Sequence, residues 1–316
     1  MELRPFGHSG LRVSPLCFGG NVFGWTADEA GSHALLDRFV EAGGYFIDTA
    51  NVYSRWVPGH QGGESESVIG RWLKQRGGRE RVVIATKVGM DMPGLGEGLA
   101  AAQIERSVED SLRRLQTDHI DLYYAHRDDA KTPLQETLAA FDRLVKAGKV
   151  RAIAASNYGA ERLDEALAVS AREGLARYEG LQPQYNLLDR QAFESALAPA
   201  CQRHGIGVAS YYSLASGFLS GKYRRPEDAR GRARAGALKQ YFNDRGWRVL
   251  AALDAVAQRL SSTPAAVALA WLMAQPAVTS AIASATSVAQ LDELLKATRL
   301  KLDAEAIAQL GAASAG

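Results

Sequence analysis

At 316 residues, 47% hydrophobic and 23% charged, the chain carries enough apolar material for one large core and too much for a disordered protein. A formal net charge of +2, with bases interspersed among acids, excludes the long positive surface that nucleic acid binding needs. No apolar run approaches the ~18 residues of a membrane span, and the N-terminal MELRPFGHSGLRVSP has no signal-peptide core.

In chain order, LRPFGHSGLRVSP reads as a small β-hairpin. Eight short apolar runs then follow: SPLCFGG (14–20), YFIDT (45–49), RVVIATK (81–87), IDLYYAH (120–126), VRAIAAS (150–156), GLQPQYN (180–186), GIGVASY (205–211) and VTSAIAS (278–284). Amphipathic stretches separate them, among them ESVIGRWLKQ, QIERSVEDSLRRL, LQETLAAFDRLVKAG, AERLDEALAVSARE and FESALAPACQRHG. Thr132-Pro133 is placed to open a helix, and Gly148 and Gly205 to close two. Strands alternating with helices in this number predict an α/β fold, a (β/α)8 TIM barrel behind an N-terminal hairpin. No linker interrupts the beat, so residues 1–316 are expected to form one domain. Helical patterns at 246–260 and 264–274 both precede the eighth strand, so one of them is an addition to the barrel.

Cys17 and Cys201, far apart and without CxxC spacing, point to a reducing compartment, with the cytoplasm as the expected location, and against a structural metal. The segment KYRRPEDARGRARAG (222–236) reads either as a solvated loop or as a segment covering an anionic ligand. GFLSGK (217–222) is one residue short of a P-loop between its glycines and lacks the Ser or Thr after its lysine.

Chemistry in such a barrel sits at the C-terminal ends of the strands. Here the second strand ends in Asp48, the third in Lys87 and the fourth in His126, while Tyr53 follows the second by one short loop. Singly, each has an ordinary explanation as a cap, a core residue or a cover for apolar surface. Together, three successive strands ending in Asp, Lys and His argue for a task, because unlike charges are costly to bury. A lysine cation is expected to lower the pKa of a neighbouring phenol from ~10 and make Tyr53 a usable general acid. Asp48 would hold the lysine, and His126 would donate to an oxygen that becomes negative. Such a set polarises and protonates a carbonyl; reduction then needs a hydride donor.

GYFIDTANVYS, IATKVG, YYAHRDD, ASNYG, LQPQYN and SYYSLASGFLSGKY, in this order, resemble the aldo-keto reductases, and the likeness extends to IASATSVAQLDEL near the C-terminus. The resemblance implies reduction of a small-molecule aldehyde or ketone, with Asp48, Tyr53, Lys87 and His126 as the catalytic set and NADPH (NADP+) as cofactor, NADH being possible. It further implies Ser156, Asn157 and Gln182 on the nicotinamide carboxamide and Tyr211 stacked on the ring. Gly20 and Asn21, the segment containing Tyr212, Ser213, Leu214, Ser216 and Lys222, and Ser284, Thr286, Gln290 and Glu293 are implied along the rest of the cofactor. Three departures are visible: residues 283–290 contain no base for a 2'-phosphate, Leu294 stands where an asparagine is usual, and Ser213 stands where a proline is usual. Hydroxyls at Ser284, Thr286 and Ser287, with Lys222 and an arginine from 230–234, are the expected substitutes.

Trp25 and Trp56 are candidates for an apolar substrate wall, or equally for packing under their own loops. The glycine-containing loop RWVPGHQGGESE (55–66) is expected to vary in position as a lid. Rival readings are a cofactor-binding sensor or channel-associated subunit on the same barrel and a lyase using Lys87 as a Schiff-base nucleophile. A short-chain dehydrogenase is excluded, since none of the eleven tyrosines has a lysine four residues later.

Overall fold

The computed structural model describes residues 1–315. An antiparallel hairpin of β1 (Arg4–Pro5) and β2 (Arg12–Val13) precedes a closed parallel barrel. The barrel strands are β3 (Leu16–Gly19), β4 (Phe46–Asp48), β5 (Val83–Val88), β6 (Ile120–Ala125), β7 (Val150–Ser156), β8 (Tyr178–Gln182), β9 (Gly207–Ser210) and β10 (Ser280–Ala283), each hydrogen-bonded to the next, with β10 closing onto β3. Helices α1 (Glu29–Glu41), α2 (Glu64–Arg76), α3 (Ala101–Leu115), α4 (Leu134–Lys146), α5 (Ala160–Glu173) and α6 (Ala198–His204) fill the crossovers. Between β9 and β10 lie the short α7 (Ala235–Leu238), then α8 (Asp244–Arg259) and α9 (Pro264–Met273). The chain ends with α10 (Val288–Lys296) and α11 (Ala304–Ser314). This is a (β/α)8 barrel. Of the two helical patterns before the eighth strand, α9 packs on β10 as the crossover helix, whereas α8 pairs with α11 as the added layer.

Side chains alternate between two cores, as the two-residue repeat of a strand requires. Outward residues such as Ile47, Ile84, Tyr123, Ile153 and Leu181 join the layer under the helices. Inward ones, including Cys17, Phe46, Ala85, Leu122, Tyr124, Ala152, Ala154 and Ala209, fill the lumen. The hairpin seals the N-terminal end: Phe6 is fully buried and meets Phe46 edge-on at 5.8 Å. That close approach explains Gly180, where an added Cβ would come within 2.3 Å of the Phe6 ring.

Strand limits differ from the sequence pattern most at β8, which starts at Tyr178 and stops at Gln182 rather than spanning 180–186. Pro183 has no N–H to continue the ladder, so only an isolated bridge, Gln184 to Tyr211, extends it. At the start of α4 the cap position falls on Pro133, while the Thr132 hydroxyl donates to Asp129 at 2.6 Å. Gly148 and Gly205 both follow helices in the left-handed conformation, at φ +71° and +63°.

Candidate active site

Continuing the inward phase of each strand by one repeat brings the polar residues to the C-terminal mouth. Phe46 is followed by Asp48, Ala85 by Lys87, Tyr124 by His126, Ala154 by Ser156, Gly180 by Gln182, Ala209 by Tyr211 and Ile282 by Ser284. The alternation that fills the lumen with apolar groups therefore also aims these seven side chains at one place.

Lys87 is fully buried, and its Nζ lies 2.7 Å from both Asp48 carboxylate oxygens, 2.7 Å from the Thr49 carbonyl and 3.0 Å from the Tyr53 hydroxyl. An ammonium has three protons for these four acceptors, so every one is engaged. Tyr53 in turn donates to Asp48 Oδ2 at 3.2 Å. A lysine surrounded by acceptors in this way is held as a donor, which leaves it no lone pair for a Schiff base.

The loop carrying Tyr53 is pinned from several sides. Ser54, at φ +72°, donates its hydroxyl to the Phe23 carbonyl at 2.7 Å. Ser65 Oγ donates to the Gly20 carbonyl at 2.7 Å and shares a 2.7 Å contact with Thr49 Oγ1. The Arg55–Asp91 ion pair, at 2.6 Å, ties the base of the 55–66 loop to the segment after β5.

The titration behaviour departs from the sequence-based expectation. The Tyr53 phenol is pushed well above its ordinary range, first by burial and then by the Asp48 carboxylate that accepts its hydrogen bond. In this resting arrangement those effects outweigh the lysine, so Lys87 does not by itself lower the phenol. Burial also lowers Lys87, with Asp48 opposing. His126 is held well below 6.5, chiefly by burial and further by the cations of Lys87 and Arg127. Its imidazole is therefore neutral near pH 7, which suits a hydrogen-bond donor rather than a charged acid. Among the described residues its Nδ1 has no partner and is enclosed, leaving Nε2 as the nitrogen open to the mouth.

The Tyr53 ring faces both His126 and Trp56 at 6.1 Å, and Trp56 packs edge-on to Trp25 at 5.4 Å. Trp56 is 49% exposed, so the two tryptophans line the mouth beside the phenol instead of sitting wholly under their loops.

The residues expected along a dinucleotide fall into three groups. In the first, Ser156 Oγ donates to the Gln182 carbonyl at 2.9 Å, Asn157 Nδ2 to the His126 carbonyl at 2.9 Å, and Tyr211 OH to Asn157 Oδ1 at 2.7 Å. Gln182 turns its amide nitrogen to Asp48 Oδ1 at 2.8 Å. In the second, the Tyr212 ring is 48% exposed, while Ser213 Oγ turns inward to the Ser210 carbonyl at 3.1 Å. Beyond Leu214 the backbone runs left-handed through Ala215, Ser216 and Gly217, and Lys222 is exposed beside Gly217, over the Tyr223 ring. In the third, Ser284 Oγ donates to Asn21 Oδ1 at 2.6 Å, Thr286 contacts Gln290 Oε1, and Ser287 caps α10, while Glu293 pairs with Lys296 at 2.5 Å. Gly20 packs so tightly that a Cβ would lie 3.0 Å from the Asp48 carbonyl.

Arg234 was not separable in sequence from its neighbouring arginines. It is half-buried, lies 5.8 Å from the Trp25 ring centre and is lowered by burial. Among the described residues neither Arg234 nor Lys222 has a carboxylate partner. Two uncompensated cations, a row of hydroxyls, the N-terminus of α10 and a flat tyrosine at the mouth are the donor chemistry that an anionic dinucleotide requires. Among the described residues no group of three or more His, Cys, Asp or Glu side chains is placed to hold a metal ion, and no helix is long and apolar enough to cross a membrane.

The family model described as the aldo/keto reductase family matches residues 15–315. The chain is 38% identical to an uncharacterized oxidoreductase, YrpG, of Bacillus subtilis, over 98% of this chain and 95% of that one. It is 34% identical to a probable voltage-gated potassium channel subunit beta of Arabidopsis thaliana, over 94% and 91%. It is 32% identical to L-glyceraldehyde 3-phosphate reductase of Escherichia coli strain K12, over 98% and 91%.

Proposed function

The chain belongs to the aldo/keto reductase family and is an NAD(P)H-dependent oxidoreductase, and from that premise we propose that it reduces aldehydes or ketones to alcohols with NADPH, Tyr53 supplying the proton. The observation that carries this reading is the buried Lys87, bonded at once to Asp48 and Tyr53, at the mouth of the barrel. When bound, the nicotinamide supplies the hydride.

In this mechanism the substrate oxygen lies between the Tyr53 hydroxyl and His126 Nε2, with Trp25 and Trp56 against its carbon substituents. Neutral His126 donates a hydrogen bond as negative charge grows on that oxygen. Tyr53 passes its proton to the oxygen, and Lys87, already 3.0 Å from the phenol oxygen, stabilises the phenolate left behind. Asp48 holds the ammonium in place throughout. A raised phenol pKa keeps Tyr53 protonated, and so ready to donate, near neutral pH until charge develops on the substrate oxygen.

Lys222 and Arg234, each without a carboxylate partner among the described residues, are assigned to the cofactor phosphates, with Ser284, Thr286 and Ser287 near the adenosine end. The complete Asp48, Tyr53, Lys87 and His126 set favours turnover over a sensor. The relative named for L-glyceraldehyde 3-phosphate supports including small phosphorylated aldehydes among the candidates. The test is NADPH oxidation across a panel of aldehydes and ketones. Carbonyl-dependent turnover is expected; cofactor binding without turnover on any member contradicts the proposal.

A further inference from the structure

The resemblance places Gln182 on the nicotinamide side of the site, yet its side-chain nitrogen donates to Asp48 Oδ1 at 2.8 Å. This contact joins opposite sides of the barrel, β8 and β4, and both residues are buried, at 2% and 1% exposure. The Asp48 carboxylate is thereby divided. Oδ1 accepts from Lys87 and Gln182, while Oδ2 accepts from Lys87 and Tyr53. A carboxylate with a fixed donor on one oxygen cannot rotate freely, so the other oxygen is presented to the phenol.

The support extends outward from Gln182. Ser156 and Gln182 are partners in the β7–β8 register, and Ser156 Oγ donates to the Gln182 carbonyl. Asn157 donates to Ser156 Oγ at 3.2 Å and to the His126 carbonyl at 2.9 Å. The residues beside the expected cofactor amide are therefore bonded to both sides of the proton-donating machinery.

We propose that Gln182 is a positioning residue for proton transfer, fixing and partly neutralising Asp48 so that Tyr53 gives up its proton more readily. The inference rests on the carbonyl-reductase reading of the site. Its physical content is that a donor on Oδ1 draws charge away from Oδ2, weakening the hold of Asp48 on the Tyr53 proton.

Two variants separate this role from anchoring of the cofactor. Gln182→Met removes the donor, and Gln182→Glu keeps the shape but replaces the amide nitrogen by oxygen. In the alcohol-oxidation direction, where Tyr53 must be deprotonated, the alkaline rise of kcat is expected to move to higher pH by about half to one unit in Gln182→Met. That is half of the roughly one to two units that a lost hydrogen bond to a charged group is worth, since only part of the effect on Oδ1 reaches Oδ2. Gln182→Glu is expected to return the limb towards the wild-type position, because two buried carboxyl groups in hydrogen-bond contact share one proton and the protonated one again donates to Asp48 Oδ1. A cofactor-free readout accompanies it: Gln182→Met lowers Tm in the wild-type background at least twice as much as in an Asp48→Asn background. A rise in the NADPH dissociation constant with no movement of the pH limb and equal Tm losses in the two backgrounds overturns the proposal. Wild-type protein that reduces no carbonyl defeats the reading of the site instead, and the Tm comparison still reports on the Gln182–Asp48 coupling.

Discussion

Replacing Lys87 by methionine keeps the side-chain length and removes the charge from the most enclosed position in the site. Asp48, 1% exposed, then loses two contacts of 2.7 Å and keeps only Gln182 and Tyr53 as donors. Breaking one side of a buried ion pair costs about 3–5 kcal/mol, and the two surviving donors put this case near 3 kcal/mol. Set against an unfolding entropy of about 2.1 cal/mol/K per residue, that loss lowers Tm by about 5 °C in a chain of this length. The assay is thermal unfolding followed by circular dichroism at pH 7, without cofactor. A second variant, Asp48→Leu with Lys87→Met, removes the stranded charge and is expected to recover most of the loss. A single variant as stable as the wild type, or a double variant no better than the single, refutes the claim that Lys87 and Asp48 are a mutually dependent buried pair.

Other consequences follow from the same geometry. His126 stays neutral in the folded protein, whereas an unfolded histidine binds a proton below about 6.5, so this group's stabilising contribution is present above that pH and lost as pH falls. Between pH 7 and pH 5 the wild type is expected to lose about 2 kcal/mol more, by urea denaturation, than His126→Asn; equal losses contradict a neutral His126. Lys222→Ala is expected to weaken NADPH about tenfold or more, the scale of one charge-assisted bond, and NADH less, as read by fluorescence titration. Equal weakening of the two cofactors shows that Lys222 does not contact the 2'-phosphate.

The barrel was legible because each strand combines a short apolar run with turn residues, and because the same inward phase that buries Phe46, Ala85 and Tyr124 delivers Asp48, Lys87 and His126. β8 was misplaced because its apolar pattern continues through Pro183 to Tyr185, which is buried in the outer core without being in the ladder. Two features of the site were not legible. The raised phenol depends on how burial, Asp48 and Lys87 balance, a matter of tenths of an ångström that residue types do not encode. The bond from Gln182 to Asp48 spans 134 residues and requires the barrel to be closed before the two can meet. Arg234 was hidden among the arginines of a charged segment; only the packing of that segment singles it out over Trp25.

The central claim, that Tyr53 gives its proton to a carbonyl oxygen, is tested most directly by comparing wild type with Tyr53→Phe in carbonyl-dependent NADPH oxidation and in NADPH binding. The account predicts a fall in kcat of about 10²–10⁴-fold with a nearly unchanged dissociation constant, because the phenol acts in the transition state. Near-normal turnover in Tyr53→Phe contradicts it.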